Sequence, residues 1–286
     1  MRFTKMHGAA NDYVVVECFH QARPTDAEAL ARRLCDRRRG VGADGFVLVL
    51  PDDQAHAEMR MHNPDGSYSA MCGNALRCVA KMLRDSGIVS EDSMTLRSAD
   101  RLVAIRMIEN GDEESRVEAD LGPPSFAPDT VPTTLPADDE GYVRNAPLEL
   151  NGKSCPVTSL SMGNPHCVLF IDELGEPSLD RLDAQAIGGA VENHPAFPER
   201  TNVELLEVVD RGHLRQRTWE RGAGETLACG SGACASAVAS ALLGRTDREV
   251  SIELRGGVLD VAWRESDGHV LMTGPAVKVF EGTLPA

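Results

Sequence analysis

The sequence is poor in lysine, in aromatic side chains and in long apolar runs. Four lysines (5, 81, 153 and 278) stand among 286 residues, and aromatic residues make up 4%. No stretch approaches the roughly 18 apolar residues of a membrane span. The opening MRFTKMHGAANDYVVVE lacks the apolar segment of a signal peptide, so a cytoplasmic location is expected. Positive charge is also scarce: 29 Lys and Arg against 44 Asp and Glu give a formal charge of −15 and a pI near 5.0. Such a surface repels phosphate backbones and anionic lipid, which argues against nucleic-acid and membrane partners and leaves a small-molecule enzyme or binding protein. Eight cysteines (18, 35, 72, 78, 155, 167, 229 and 234) without an export signal read as reduced thiols rather than a disulfide framework.

Glycine, proline and a 42% hydrophobic fraction are ordinary for a globular chain, and the length suits two domains. Short apolar or alternating runs predict strands at 13–19, 46–50, 102–108, 167–171, 203–209, 214–219, 250–254 and 258–263. Helices are fewer. PTDAEALARRLCDRR carries a threonine cap and an entry proline, and the segments after Cys72 and Cys229 are apolar on most sides, as buried helices are. The proline-rich stretch between Ala119 and Tyr142 reads as a crossing between domains 1–122 and 123–274.

The two halves echo each other. Asn11 precedes Cys72 by 61 residues and Asn164 precedes Cys229 by 65; Asn63 and Glu220 stand nine ahead of their cysteines, Gly45 and Asn202 stand 27 ahead. Four matches at similar offsets point to a duplicated unit, with a spacing too long for a solenoid. Two similar domains are expected, their Cys-Gly helix starts meeting at one cleft.

A helix start offers unpaired N–H groups and the positive end of the dipole, which attract carboxylates and lower a thiol's pKa. Gly73 with Asn74, and Gly230 with Ser231, keep that approach open. Thiols on opposite faces of one carbon suit proton removal on one side and return on the other, that is, racemisation or epimerisation. A thiol near pKa 8.5 serves as base when ionised and as acid when protonated, and the pair should titrate together. No lysine sits in a recognisable phosphate-binding loop for pyridoxal phosphate, so a cofactor-free site is expected, stabilised by helix ends and by exclusion of water.

Other features read differently. Either cysteine alone would pass for a small buried residue; the duplication favours chemistry. Cys72 with Cys78 and Cys229 with Cys234 are too poorly spaced for zinc, and Cys18, Cys35, Cys155 and Cys167 read as core. GVGADG at 40–45 matches a dinucleotide fingerprint, but a basic helix precedes it and a strand follows, the reverse of what that motif requires.

The motifs KMHGAANDY, HNPDGS, CGNALRC, SMGNPHC, FPERTN and ERGAGETLACGSGAC, in this order and spanning nearly the whole chain, resemble those of the diaminopimelate epimerases. The resemblance implies an α+β fold of two pseudo-symmetric domains, each a mixed β-barrel or roll around a central helix, with residues 275–286 returning to the first. It implies cofactor-independent interconversion of LL- and meso-2,6-diaminopimelate, serving lysine and peptidoglycan precursor synthesis, by a homodimer. Carried over by position, Cys72 and Cys229 are acid and base. Asn11, Asn63, Asn164, Asn202, Glu220 and Arg221 hold the substrate's amino and carboxylate groups, and Gly73, Asn74, Gly230 and Ser231 bind the proximal carboxylate. His166 and Glu220 tune the thiols. Gly45 stands where some members carry a glutamine that touches the site, and Ala10 and Ala75 where glycine is common. The rivals left open are a two-cysteine racemase for another amino acid, from which Arg221 discriminates by suiting a second carboxylate, and a non-catalytic amino-acid binder.

Overall fold

Two thirteen-residue helices, each beginning directly after a cysteine, organise the chain. The computed structural model describes residues 1–127, 129–150 and 152–284. They form two units, Met1–Asp120 with the segment from Thr273 onward, and Leu121–Met272. Residues 285 and 286, part of the segment expected to return to the first domain, lie outside the described residues, as does residue 128 of the proline-rich stretch.

In the first unit the elements are β1 (Arg2–Gly8), β2 (Asn11–Glu17), α1 (Ala27–Leu34), β3 (Gly45–Leu50), β4 (Ala57–His62), β5 (Tyr68–Ser69), α2 (Gly73–Asp85), β6 (Ser93–Ser98), β7 (Arg101–Glu109) and β8 (Glu114–Asp120). The second holds β9 (Val143–Leu150), β10 (Lys153–Ser161), β11 (Pro165–Phe170), α3 (Ile171–Leu174), α4 (Ala184–Glu192), β12 (Asn202–Asp210), β13 (His213–Glu220), β14 (Gly224–Thr226), α5 (Gly230–Leu242), β15 (Glu249–Leu254) and β16 (Gly257–Trp263). β17 (Val270–Thr283) follows, and its residues from Thr273 onward belong to the first unit.

In the first unit β1 runs antiparallel to β2 and β17, β2 parallel to β3, β3 antiparallel to β4, β4 parallel to β6, then β6, β7 and β8 antiparallel in turn. β8 pairs with β17, so the eight strands close a barrel, which leaves no unpaired edge. α2 packs against β1, β2, β4, β6, β7 and β8 and is buried without a break from Gly73 to Leu83. Arg77 and Lys81 lie inside it with no exposed surface, which their bonds make tolerable. Arg77 donates to Asn74 Oδ1 (2.7 Å) and the Pro275 carbonyl (3.2 Å), and Lys81 donates to the Gly111 carbonyl (2.7 Å).

The second unit repeats the order: β10 antiparallel to β11, β11 parallel to β12, β12 antiparallel to β13, β13 parallel to β15, β15 antiparallel to β16. α5 packs against β10, β11, β12, β15 and β16. The register repeats too: Tyr13 stands opposite Gly45 in the first unit and His166 opposite Asn202 in the second. The architecture is α+β with one topology used twice. The proline-rich stretch is packed rather than free, for Ser125 bridges Ser161, Thr133 Oγ1 donates to the Ala196 carbonyl (2.8 Å) and Val131 is buried.

Two local features differ from expectation. The cap of α1 is Asp26, not Thr25; its carboxylate accepts from Ala29 N at 2.9 Å, and its charge suits the helix N-terminus better than a hydroxyl. Between β1 and β2, Ala9 and Ala10 form a two-residue turn with φ of 52° and 62°, the left-handed geometry that glycine or asparagine normally supplies. Alanine there costs roughly 1–2 kcal/mol per residue, and the turn delivers Asn11.

Candidate active site

Cys72 caps α2 in an extended conformation, with Gly73 and Asn74 as the first helical residues. Its sulfur is 3.0 Å from Tyr13 Oη and 4.0 Å from Asn11 Oδ1. Asn11 Oδ1 also accepts from the Tyr13 hydroxyl and from Asn74 Nδ2 (3.2 Å). Asn11 Nδ2 donates to Asp44 Oδ2 (2.9 Å), and Arg37 in turn holds Asp44 (2.7 Å) and Asp12 (2.7 Å). The arginine after α1 thus braces the loop beneath Asn11. Burial tends to raise the Asp12 carboxyl, but hydrogen bonds from Arg37 and Lys5 prevail and hold it at about 2. The structure therefore brings Asn11, Cys72 and Asn74 together. Asn63 is tied to its own turn, its Nδ2 donating to Ser67 Oγ at 2.9 Å.

Cys229 caps α5, and its sulfur accepts from Gly232 N at 3.4 Å with Ser231 Oγ 3.5 Å away. Burial first, then the negative charges of Glu220 and Glu204, push this thiol well above its ordinary range, outweighing the bonds from Ser231 and Gly232. The lowering expected from a helix start is present at Cys229, through the Gly232 N–H, but it is outweighed there. Desolvation and two carboxylates act against a single long N–H contact.

Behind Cys229 runs a buried polar chain. His166 lies with Nδ1 2.8 Å from Glu204 Oε1 and Nε2 3.0 Å from Asn164 Oδ1. Glu204 Oε2 accepts from Gln216 Nε2 and Thr218 Oγ1, both at 2.7 Å. A carboxylate without exposed surface survives because its oxygens are so partnered. Asn202 donates to the Pro165 carbonyl (2.9 Å) and accepts from Arg221 N (2.9 Å), which fixes the start of the loop after β13. Glu192 anchors that loop through Gly222 N (2.8 Å) and Trp219 Nε1 (2.7 Å), and Thr226 Oγ1 donates to Glu220 Oε1 (2.6 Å). The Arg221 guanidinium lies at the surface, where Nη1 donates to the Glu199 carbonyl (3.2 Å).

Each unit therefore presents a cysteine at the head of its central helix with asparagines at strand ends. The family model described as diaminopimelate epimerase matches residues 3–127 and 158–279. The chain belongs to the diaminopimelate epimerase family. It is an isomerase. A diaminopimelate epimerase of Moorella thermoacetica is 45% identical over 286 residues, 100% of this chain and 99% of that protein. That of Desulforudis audaxviator is 48% identical over 282 residues, 99% of this chain and 98% of its own. Among solved structures, a hydroxyproline epimerase from Agrobacterium vitis shares the fold, with a TM-score of 0.68 at 17% identity over 99% of this chain and 90% of that one.

Within this family member, the lack of a side chain at Gly45 has a visible setting. A Cβ there would stand 2.7 Å from Met61 Cε and 3.3 Å from Tyr13 Cδ1, so these side chains already fill the space. Ala75 is buried in the first turn of α2, where alanine favours the helix. The residues that sequence reasoning passed over are Tyr13, hidden in the run YVVVECF, and Glu204, hidden in VELLEVV. Tyr13 was nonetheless signalled: it stands two residues after Asn11, as His166 stands two after Asn164. Glu204 showed only as a lone carboxylate in an apolar strand.

Proposed function

We propose that this chain interconverts LL- and meso-2,6-diaminopimelate by a two-base mechanism, with Cys72 and Cys229 on opposite faces of one α-carbon. One sulfur, as thiolate, takes the α-proton and becomes a thiol; the other, as thiol, gives its proton to the opposite face and becomes a thiolate. The reverse direction exchanges the roles. The observation that carries the reading is that both cysteines occupy the same N-cap position on the central helix of their units. Supporting it, relatives 44–48% identical along nearly the whole chain bear the name diaminopimelate epimerase.

The amides at the two helix starts, of Gly73 and Asn74 and of Gly230 and Ser231, hold the proximal carboxylate and stabilise charge that develops beside it. Asn11, Asn63, Asn164, Asn202 and Glu220 take the remaining polar groups, and Arg221 pairs with the distal carboxylate. His166 and Glu220 adjust the sulfurs. Burial and the charges of Glu220 and Glu204 favour the protonated form of Cys229. The reading needs no cofactor, and lysine and peptidoglycan precursor synthesis is the pathway it serves.

The test is incubation with LL-diaminopimelate in heavy water followed by chiral analysis. Wild type is expected to form the meso isomer with deuterium at the inverted α-carbon, while Cys72→Ser and Cys229→Ser lose about 100-fold or more of that rate. A product pool without deuterium, or full activity in either variant, overturns the mechanism.

A further inference from the structure

We infer that Tyr13 is a positioning residue for Cys72, its phenol hydroxyl bonding the sulfur in both protonation states. This rests on the acid–base role of Cys72 proposed above. The hydroxyl lies 3.0 Å from Sγ and also contacts Asn11 Oδ1. β2 delivers the ring, which is fully buried beside Gly45, where a Cβ would crowd it.

The identity of the Asn11 atom facing the phenol is set from behind. Asp44 is acceptor-only when ionised and takes the Asn11 amide N–H at 2.9 Å, so the carbonyl end points at the hydroxyl. Asn74 Nδ2 supplies that carbonyl with a second donor at 3.2 Å.

A phenol has one proton to give and lone pairs to receive. When Cys72 is a thiol, the phenol proton goes to Asn11 Oδ1 and S–H donates to Oη. When Cys72 is a thiolate, the phenol proton turns to Sγ and Asn74 keeps the Asn11 carbonyl satisfied. No buried group loses its partner in either state, which matters because an orphaned polar group is costly. The phenol keeps its proton throughout, since burial and then the neighbouring Cys72 raise its pKa well above the ordinary range. Cys78 and Arg77, both from α2, also act on the phenol, the first raising and the second lowering its pKa.

The second unit reaches the same end by another route. His166 occupies the register position of Tyr13 but turns its nitrogens to Glu204 and Asn164, and the hydroxyl beside the sulfur there is that of Ser231.

The test compares wild type with Tyr13→Phe by peptide-mapped iodoacetamide alkylation of Cys72 from about pH 6 to 10, a range spanning ordinary thiol titration. The Cys72 profile is expected to move to higher pH, with about a tenfold slower reaction at neutral pH, equivalent to one pH unit of lost thiolate. In turnover, kcat should fall with KM little changed, because the phenol touches the sulfur rather than the substrate. Should Tyr13→Phe not fold, 3-fluorotyrosine placed at position 13 keeps the shape and makes the phenol a stronger donor, moving the profile to lower pH. An unchanged Cys72 profile in the folded variant overturns the inference and leaves the functional reading standing. Absence of epimerisation by wild type overturns that reading without touching the titration.

Discussion

Gly232 and Glu204 compete for one volume: a Cβ on residue 232 would stand 2.5 Å from Glu204 Oε1 and 2.6 Å from its carboxyl carbon. The absence of a side chain on the first turn of α5 is what admits a buried carboxylate beside Cys229. That carboxylate is one of the charges holding the thiol protonated. Helix sequence, strand burial and thiol chemistry meet at this one contact.

Gly232→Ala should therefore destabilise the protein, although alanine for glycine inside a helix ordinarily gains about 1 kcal/mol. Overpacking a filled interior costs about 1–3 kcal/mol, and Glu204 is held by Gln216, Thr218 and His166 and cannot retreat freely. Urea unfolding should show a lower midpoint than wild type; a higher one would mean that Glu204 moves aside.

Glu204→Gln removes a negative charge that raises the Cys229 thiol while keeping most of its shape. Alkylation of Cys229 at mildly alkaline pH should become several-fold faster. An unaltered rate would show that burial and Glu220 alone set this thiol.

Alkaline pH should weaken the fold through its core thiols. Burial raises Cys35 to about 11 and Cys78 and Cys167 to about 12, whereas in the unfolded chain a thiol ionises near 8.5. Above that value the unfolded state binds fewer protons than the native state, so stability falls as pH rises. Each thiol contributes a loss of about 1.4 kcal/mol per pH unit until its native pKa is reached. Unfolding midpoints under reducing conditions should be flat near neutrality and drop steeply from about pH 9 to 11. A flat profile through that window would contradict the assignment.

Arg221→Ala should spare the fold and damage turnover. The bond from Arg221 N to Asn202 belongs to the backbone and survives the change, and the guanidinium's own bond to Glu199 is exposed. Stability should stay within about 0.5 kcal/mol. Losing the partner of a substrate carboxylate costs about 2 kcal/mol or more, so kcat/KM for diaminopimelate should fall at least ~30-fold. Equal turnover by both proteins would remove the case for a substrate acidic at both ends.

All eight strands expected from apolar or alternating runs are present, because FVLVL and CVLFI bury both faces and cannot be mistaken for loops. ESRVEAD and AEMRMH were passed over although they alternate buried and charged residues, because small buried members such as Ser115 and Ala57 give a weak apolar signal. The buried helices after Cys72 and Cys229 were readable from composition and glycine placement alone, as was the repeat of strand-end asparagines.

The sequence by itself determined which residues could cap a helix, which runs must be buried, and that one pattern occurs twice, for these follow from local geometry and periodicity. Only the tertiary structure decided that Tyr13 touches Cys72 across 59 residues of chain and that Glu204, 25 residues before Cys229, raises its thiol. The side-chain direction and dielectric surroundings that govern a sulfur's proton come from strands distant in sequence, brought beside the helix by barrel register rather than by any local propensity.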